Sequence, residues 1–231
     1  MYVPEPVDSV PLRIQVYERL EKLIVEGRYR PGDRLPENEL ASLLSVSRGP
    51  IREALQLLER DGWVEVKPRH GATVRRRTLT EVAEFFDMRR VLEVHAAVLC
   101  ARNLTDAKAE RLQELMRLSH EADISGDPAA LMKANWEVHC TIPKLSGNQA
   151  MAETILSLGR RVRWYTLTPR SWERAKDVLA EHGALVDAIC ERDEAKASRL
   201  MDTHIANNWA AYQRWISENT GQVVSDLAPI Y

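Results

Sequence analysis

Apolar residues at Val16, Leu20, Leu23 and Ile24 recur at helical spacing, which predicts a first helix over 12–26 that stops at Gly27. Arg30-Pro31-Gly32-Asp33 reads as a turn. Leu40, Leu43 and Leu44 predict a short second helix over 37–44, broken by Ser45-Val46-Ser47. Ser47 is placed to cap a third helix with its hydroxyl, and Pro50 falls in the first turn, where a missing N–H costs nothing. The inner face of that helix is Ile51, Leu55 and Leu58, while Arg48, Arg52 and Gln56 fall on the opposite side; Asp61-Gly62 closes it. The period then changes. Residues 63–66 and 72–74 are β-prone runs around a turn at 67–71. Three helices followed by a small hairpin spell a winged helix-turn-helix.

From residue 80 onward the pattern is helical throughout. Six helices are predicted, over 80–103, 105–124, 128–142, 148–168, 171–191 and 193–217. Thr105 and the pair Asp127-Pro128 are helix-start signals, Pro143 with Ser146-Gly147-Asn148 separates the third of these helices from the fourth, and Pro169 ends the fourth. With no strand signal and short connections, they predict an all-α antiparallel bundle. The expected fold is therefore mostly α: an N-terminal arm (1–11), a winged helix-turn-helix (12–77), a helical bundle (78–220) and a C-terminal tail (221–231).

Composition acts mainly by exclusion. The 231 residues, 45% of them hydrophobic, are enough for two cores. No apolar run approaches the roughly 20 residues that cross a bilayer, and the first 11 residues lack the pattern of a signal peptide, so membrane and secreted classes drop out. Cys100, Cys140 and Cys190, odd in number and set in apolar helical patterns, read as reduced packing residues of a cytoplasmic protein. The formal net charge of −2 argues at first sight against a nucleic-acid partner. Counting by segment reverses that: residues 12–77 carry 14 basic and 10 acidic groups, residues 78–231 carry 18 and 22. The positive balance sits in the winged segment. Arg75-Arg76-Arg77 at the junction is open to two readings, a solvated linker or a set of phosphate contacts.

A third helix of this kind fits the major groove with the residues near its N-terminus at the base edges. Arg48 and Arg52 are the candidate base readers, since a guanidinium can donate two hydrogen bonds to guanine, and Gln56 lies further along. Arg69, His70 and Gly71 form the wing tip, where glycine lets the backbone approach DNA closely. Two arginines alone would be ordinary solvated charges. They belong, however, to a longer pattern. Pro31 to Ala41, Val46-Ser47-Arg48-Gly49-Pro50-Ile51-Arg52-Glu53-Ala54-Leu55, Leu58 to Gly62, and Pro68 with Gly71 together resemble the DNA-binding domain of GntR-family transcription regulators over about 60 residues. The resemblance implies a DNA contact surface of Arg34, Ser47, Arg48, Gly49, Arg52, Gln56, Arg69, His70 and Gly71. The chain departs from the family pattern at Asn38, commonly Arg, and at Gly49, commonly Thr.

Three histidines fall on inward helical stripes in the second segment. His139 follows Leu131, Met132, Asn135 and Trp136; His182 lies in the row Val178, Leu179, Leu185 and Val186; His204 lies in the row Ala197, Leu200, Met201 and Asn208. Spacing alone leaves two readings, hydrogen-bonded core histidines or a metal site. The order and spacing also resemble the FCD ligand-binding domain of the FadR-type GntR subfamily, whose members commonly hold a divalent metal with a carboxylate and three histidines. The resemblance implies a site of Asn135, His139, His182 and His204, with an amide where the family has a carboxylate. The expected ion is divalent, zinc first, with nickel or another divalent ion as alternatives. A neutral donor set leaves the ion its full charge, which favours a small organic acid as effector. Arg89, in the family's R-x-x-L-E pattern, is either a counter-charge for that acid or a salt-bridge partner of Glu93; Asn208 lines the pocket or caps a polar seam. Glu137 and Glu181 read as solvated helix residues, and Trp136, Trp164 and Trp172 as core packing or a subunit interface.

The expected function is that of a homodimeric transcription repressor binding double-stranded DNA at an inverted-repeat operator and retuned by a small carboxylate. Two competing classes are a metal-dependent enzyme using the three histidines and an effector-independent DNA-binding scaffold. The enzyme reading lacks an H-E-x-x-H motif, a phosphate loop and a nucleophile elbow.

Overall fold

A computed structural model of the chain describes residues 10–25, 27–67, 70–76, 78–166 and 174–220, and they fall into two compact units divided between Arg77 and Thr78. The first unit comprises α1 (Leu12–Val25), β1 (Arg34–Leu35), α2 (Glu37–Leu44), α3 (Arg48–Arg60), β2 (Val64–Lys67) and β3 (Gly71–Val74). Helix α1 packs on α3, with Val16, Leu20 and Ile24 meeting a core of Leu40, Ile51, Leu55 and Leu58. The Tyr17 hydroxyl donates to Asp61 at 2.9 Å, tying α1 to the end of α3. Because Ile51, Ala54, Leu55 and Leu58 claim the inner stripe, Arg48, Arg52 and Gln56 are left exposed.

The wing is a three-stranded antiparallel sheet in the order β1-β3-β2, not a bare hairpin. Arg34 pairs with Thr73 and Leu35 with Ala72, while Val64 pairs with Val74 and Lys67 with Gly71. Sequence pattern misses β1 because two residues between a turn and Pro36 are too short to show a period. Leu35, Val64, Ala72 and Val74 face the core, and Trp63 beside them is 2% exposed. Gly71 opens β3 at φ +79, a left-handed conformation that favours glycine.

The second unit is helical among the described residues: α4 (Leu79–Arg102), α5 (Asp106–Ser125), α6 (Pro128–Leu145), α7 (Gln149–Thr166), α8 (Ala175–Cys190) and α9 (Glu194–Thr220). A capping box of Thr78 and Glu81 starts α4, Thr105 caps α5, and Gly126 ends it at φ +65. Asp127 accepts from the Ala130 amide at 3.3 Å and starts α6. Pro143 does not end α6, which runs through it to Leu145. So late in a helix a proline forfeits one hydrogen bond, to the carbonyl of His139 four residues back, and its ring is buried. The predicted extension of α8 back to residue 171 and the stop at Pro169 lie outside the described residues.

Helices α4 and α9 form the most extensive contact of the bundle; α6, α7 and α8 pack on this pair, and α5 packs against α6 and α8. Phe86, Leu112, Ile142, Leu185 and Ile189 are fully buried, and rings of Phe86, Trp209, Tyr212 and Trp215 follow one another at 5.0, 5.9 and 6.2 Å. A Cβ at Gly159 would lie 2.5 Å from the Trp136 ring, so this indole packs where α7 has no side chain. The Trp164 side chain and Trp172 lie outside the described residues. The three cysteines are not joined by a disulfide: Cys100 and Cys140 are buried and Cys190 is half-buried.

Candidate nucleic-acid interface and metal centre

Ser47 stands at the N-cap of α3 in an extended conformation, but its side chain makes no capping hydrogen bond, so the helix start is set by the backbone. Arg48 and Arg52 converge on Glu37, the first residue of α2. Arg48 Nη2 lies 3.1 Å from Glu37 Oε2, and Arg52 Nε lies 2.9 and 2.8 Å from Oε1 and Oε2. The Arg52 hydrogen bond, with the charge of both arginines, holds the Glu37 carboxyl below its ordinary range. Gln56 and Gly49 are exposed, and a Cβ at Gly49 would meet nothing within 4 Å. Arg34 is exposed on β1, and His70 is exposed at the wing turn next to Gly71. Arg69 lies outside the described residues.

In the second unit, α6, α8 and α9 bring His139, His182 and His204 together. Their Nε2 atoms meet: His204 lies 3.1 Å from His139 and 3.3 Å from His182. His182 and His204 are each 1% exposed. Burial pushes the imidazolium of His182 far below its usual range, helped by the neighbouring histidines, and burial brings His204 down to about 4 against the opposing pull of Glu181. At neutral pH both rings are therefore uncharged.

The opposite edges of two rings are held by carboxylates. His139 Nδ1 lies 2.7 Å from Glu93 Oε2, and His204 Nδ1 lies 2.7 Å from Glu181 Oε2. A carboxylate only accepts, so each pair places the proton on Nδ1 and directs the ring's Nε2 at the cluster. Each carboxylate is in turn gripped by an arginine. Arg89 Nε lies 2.5 Å from Glu93 Oε1, and Arg174 Nη2 bonds Glu181, which also accepts from Asn207 at 2.8 Å. Burial alone would raise both carboxyls. Arg89 and His139 overcome it at Glu93, which ends well below the ordinary range; His204, Asn207 and Arg174 bring Glu181 to about 2.

These contacts correct the expectation that Glu181 is a solvated helix residue. Glu181 directly precedes His182, but the two point some 100° apart around α8, so its carboxylate serves His204 across the groove. Glu93, Glu181 and Arg174 are site residues that the sequence reading left out. For Arg89 the structure holds the salt bridge to Glu93, with Nη2 3.4 Å from His139 Nδ1. Asn208 donates from Nδ2 to His204 Nε2 at 2.8 Å and accepts from Arg174 through Oδ1.

The donor set fits a divalent ion. With Nδ1 of His204 carrying the proton, its Nε2 is a lone pair that faces the Nε2 atoms of His139 and His182, the arrangement that three imidazole ligands of one cation present. Tetrahedral coordination at a Zn–N distance of about 2.05 Å places nitrogens about 3.3 Å apart, close to the spacings found. His139, His182 and His204 offer nitrogens all within 4.8 Å of one another. Asn135 Oδ1, one turn before His139 on α6, is buried with no hydrogen-bond partner among the described residues, as is His182 Nδ1.

A winged helix with two exposed arginines on α3, followed in the chain by a helical bundle that brings three inward histidines together, is the architecture of a DNA-binding regulator. The chain belongs to the GntR family: residues 12–74 match bacterial regulatory proteins of the gntR family, and residues 84–207 match the FCD domain. It is similar to the HTH-type regulator YdhC of Bacillus subtilis, 26% identical with 84% of this chain and 88% of that one covered. It is 27% identical to the Nta operon transcriptional regulator of Aminobacter aminovorans (81% and 88% covered). It is 26% identical to the transcriptional repressor NanR of Cronobacter sakazakii (90% and 88% covered). Among solved structures it resembles E. coli McbR/YncC, with a TM-score of 0.76 and 25% identity over 90% of this chain and 99% of that one.

The chain is a transcription regulator of the GntR/FCD type; its relatives are DNA-binding regulators, not enzymes, and FCD domains commonly bind metals. GntR regulators bind DNA and typically dimerise. No described helix is long and apolar enough to cross a membrane.

Proposed function

We propose that the protein is a homodimeric cytoplasmic repressor that binds an inverted-repeat operator and is released by a small carboxylate at a metal held by its three histidines. The observation that carries the effector half is the meeting of three Nε2 atoms inside the bundle, with the nearest carboxylates turned away onto Nδ1 edges and arginines. Three neutral imidazoles, with Asn135 as a neutral fourth donor, leave a divalent ion uncompensated, so an anionic oxygen is the preferred remaining ligand. Zinc fits the nitrogen-rich set best. Asn208 sits where it can turn its amide to a bound acid. Arg89 has five N–H donors, of which the Glu93 salt bridge uses two, and adds positive charge beside the ion.

Thermal-shift measurements with zinc, nickel or manganese, each with and without a panel of mono-, di- and tricarboxylates, test the reading. The expected result is stabilisation by metal, further stabilisation by one acid only when metal is present, and no turnover of that acid. An acid that stabilises equally without metal removes the ion from effector binding. A Glu181→Gln variant should fold and bind zinc about 10–100-fold more weakly, because the amide no longer fixes the His204 ring as the carboxylate does; isothermal titration reads the difference.

A further inference from the structure

The DNA-facing side of the first unit contains a carboxylate that neither phosphate attraction nor packing explains. Glu37 is part-exposed, with 30% of its side-chain surface open, and both of its oxygens are taken by Arg48 and Arg52, themselves 55% and 57% exposed. An acidic group on a surface that meets phosphates weakens binding to any duplex, so its presence has to be offset by something else it does. Packing supplies nothing: an exposed ion pair contributes little to stability.

What Glu37 does have is a fixed backbone. It is the first residue of α2, preceded by Pro36 and by Leu35, which β1 pairs with Ala72 of the wing. Its carboxylate thus projects from a point set by both a sheet and a helix. Arg48 and Arg52 are the opposite case, long side chains one turn apart on α3 that repel each other and lose considerable rotamer freedom when ordered. A single carboxylate between them removes the repulsion and leaves each guanidinium with donors to spare. A side chain ordered before binding gives up less entropy in binding.

We propose that Glu37 is a specificity-determining positioning residue, holding the Arg48 and Arg52 guanidinium groups in register for base edges and restraining them from random phosphate contacts. This inference rests on the reading of those arginines as base readers. Removing the charge at residue 37 should therefore do two opposite things: strengthen attachment to arbitrary DNA and blur the choice of sequence.

The test uses the full-length chain. Selection from a duplex library with a randomised core of about 24 base pairs, wide enough for two half-sites a helical turn apart, yields the wild-type sequence. Fluorescence anisotropy then measures affinity for that duplex and for a scrambled duplex of the same composition, across a range of salt. For Glu37→Gln, the scrambled duplex should bind roughly 3–10-fold more tightly at low salt, with a salt slope steeper by up to about one unit, while the ratio of selected to scrambled affinity falls about tenfold. Glu37→Asp keeps the charge but shortens the reach, so it should leave scrambled binding near wild type and still lower the ratio. It also provides the measurement if the Gln variant does not fold. Parallel weakening on both duplexes, or an unchanged ratio in the folded variants, overturns the proposal. A wild-type chain that selects no sequence removes the base-reading assignment and this inference with it; a wild type that selects one, with both variants keeping its ratio, removes this inference alone.

Discussion

Protein purified without a polyhistidine tag, loaded with zinc and dialysed, is expected to retain about one ion per chain, whereas His139→Ala, His182→Ala and His204→Ala retain almost none. The three side chains are equivalent in role but not in support. His139 and His204 are each locked by a carboxylate 2.7 Å from Nδ1, while His182 Nδ1 has no hydrogen-bond partner among the described residues. Loss of any one leaves two nitrogens, too few to hold a divalent ion against dialysis. The thermal consequence is large. At a zinc concentration a thousandfold above the dissociation constant, binding adds about 4 kcal/mol. For a unit of this size that corresponds to roughly 8–16 °C in midpoint, none of which the alanine variants should show. Elemental analysis and melting curves with and without chelator check both. Equal, near-zero metal in wild type and variants would end the metal reading and leave three core histidines.

The difference in support between the histidines also marks what a sequence can disclose. His139, His182 and His204 were legible because each falls on an apolar stripe of its own helix, and a polar group on such a stripe is conspicuous. Glu93 and Glu181 were not, since their importance comes from a neighbouring helix. Periodicity reports which face a residue occupies and is silent on what crosses the groove to meet it. Arg89 and Glu93 came as a pair four residues apart, which suggested a salt bridge, but nothing in that spacing pointed to His139, 46 residues on from Glu93. The same limit hid Glu37. It stands 11 and 15 residues from Arg48 and Arg52, and only the short β1 and the turn between α2 and α3 bring the three together. The reverse error occurred at Pro143, where a local stop signal was overruled by packing around a buried ring.

Arg48→Ala and Arg52→Ala are expected to cost about 1–3 kcal/mol each on the selected duplex and, combined, to reduce its binding to the level of scrambled DNA. The estimate follows from the geometry of one bidentate contact to guanine, where loss of both hydrogen bonds strands the base acceptors in the groove. Neither arginine contributes to the core of the first unit, which is built from Ile51, Leu55 and Leu58 on the other side of α3, so both variants should melt as wild type does. Two-fold symmetry enlarges the effect: in a dimer each substitution occurs twice, and the double variant loses contacts in both half-sites. The effect should also be unequal across sequences. Removing a base reader lowers the affinity for the selected duplex far more than for a scrambled one, whereas removing a phosphate contact lowers both alike and flattens the salt dependence by about one unit. Anisotropy titrations on the two duplexes separate these cases, and unchanged affinity in both single variants would take α3 out of the groove. Zinc content should be unaffected in every one of these variants, because the histidines that hold it belong to the second unit.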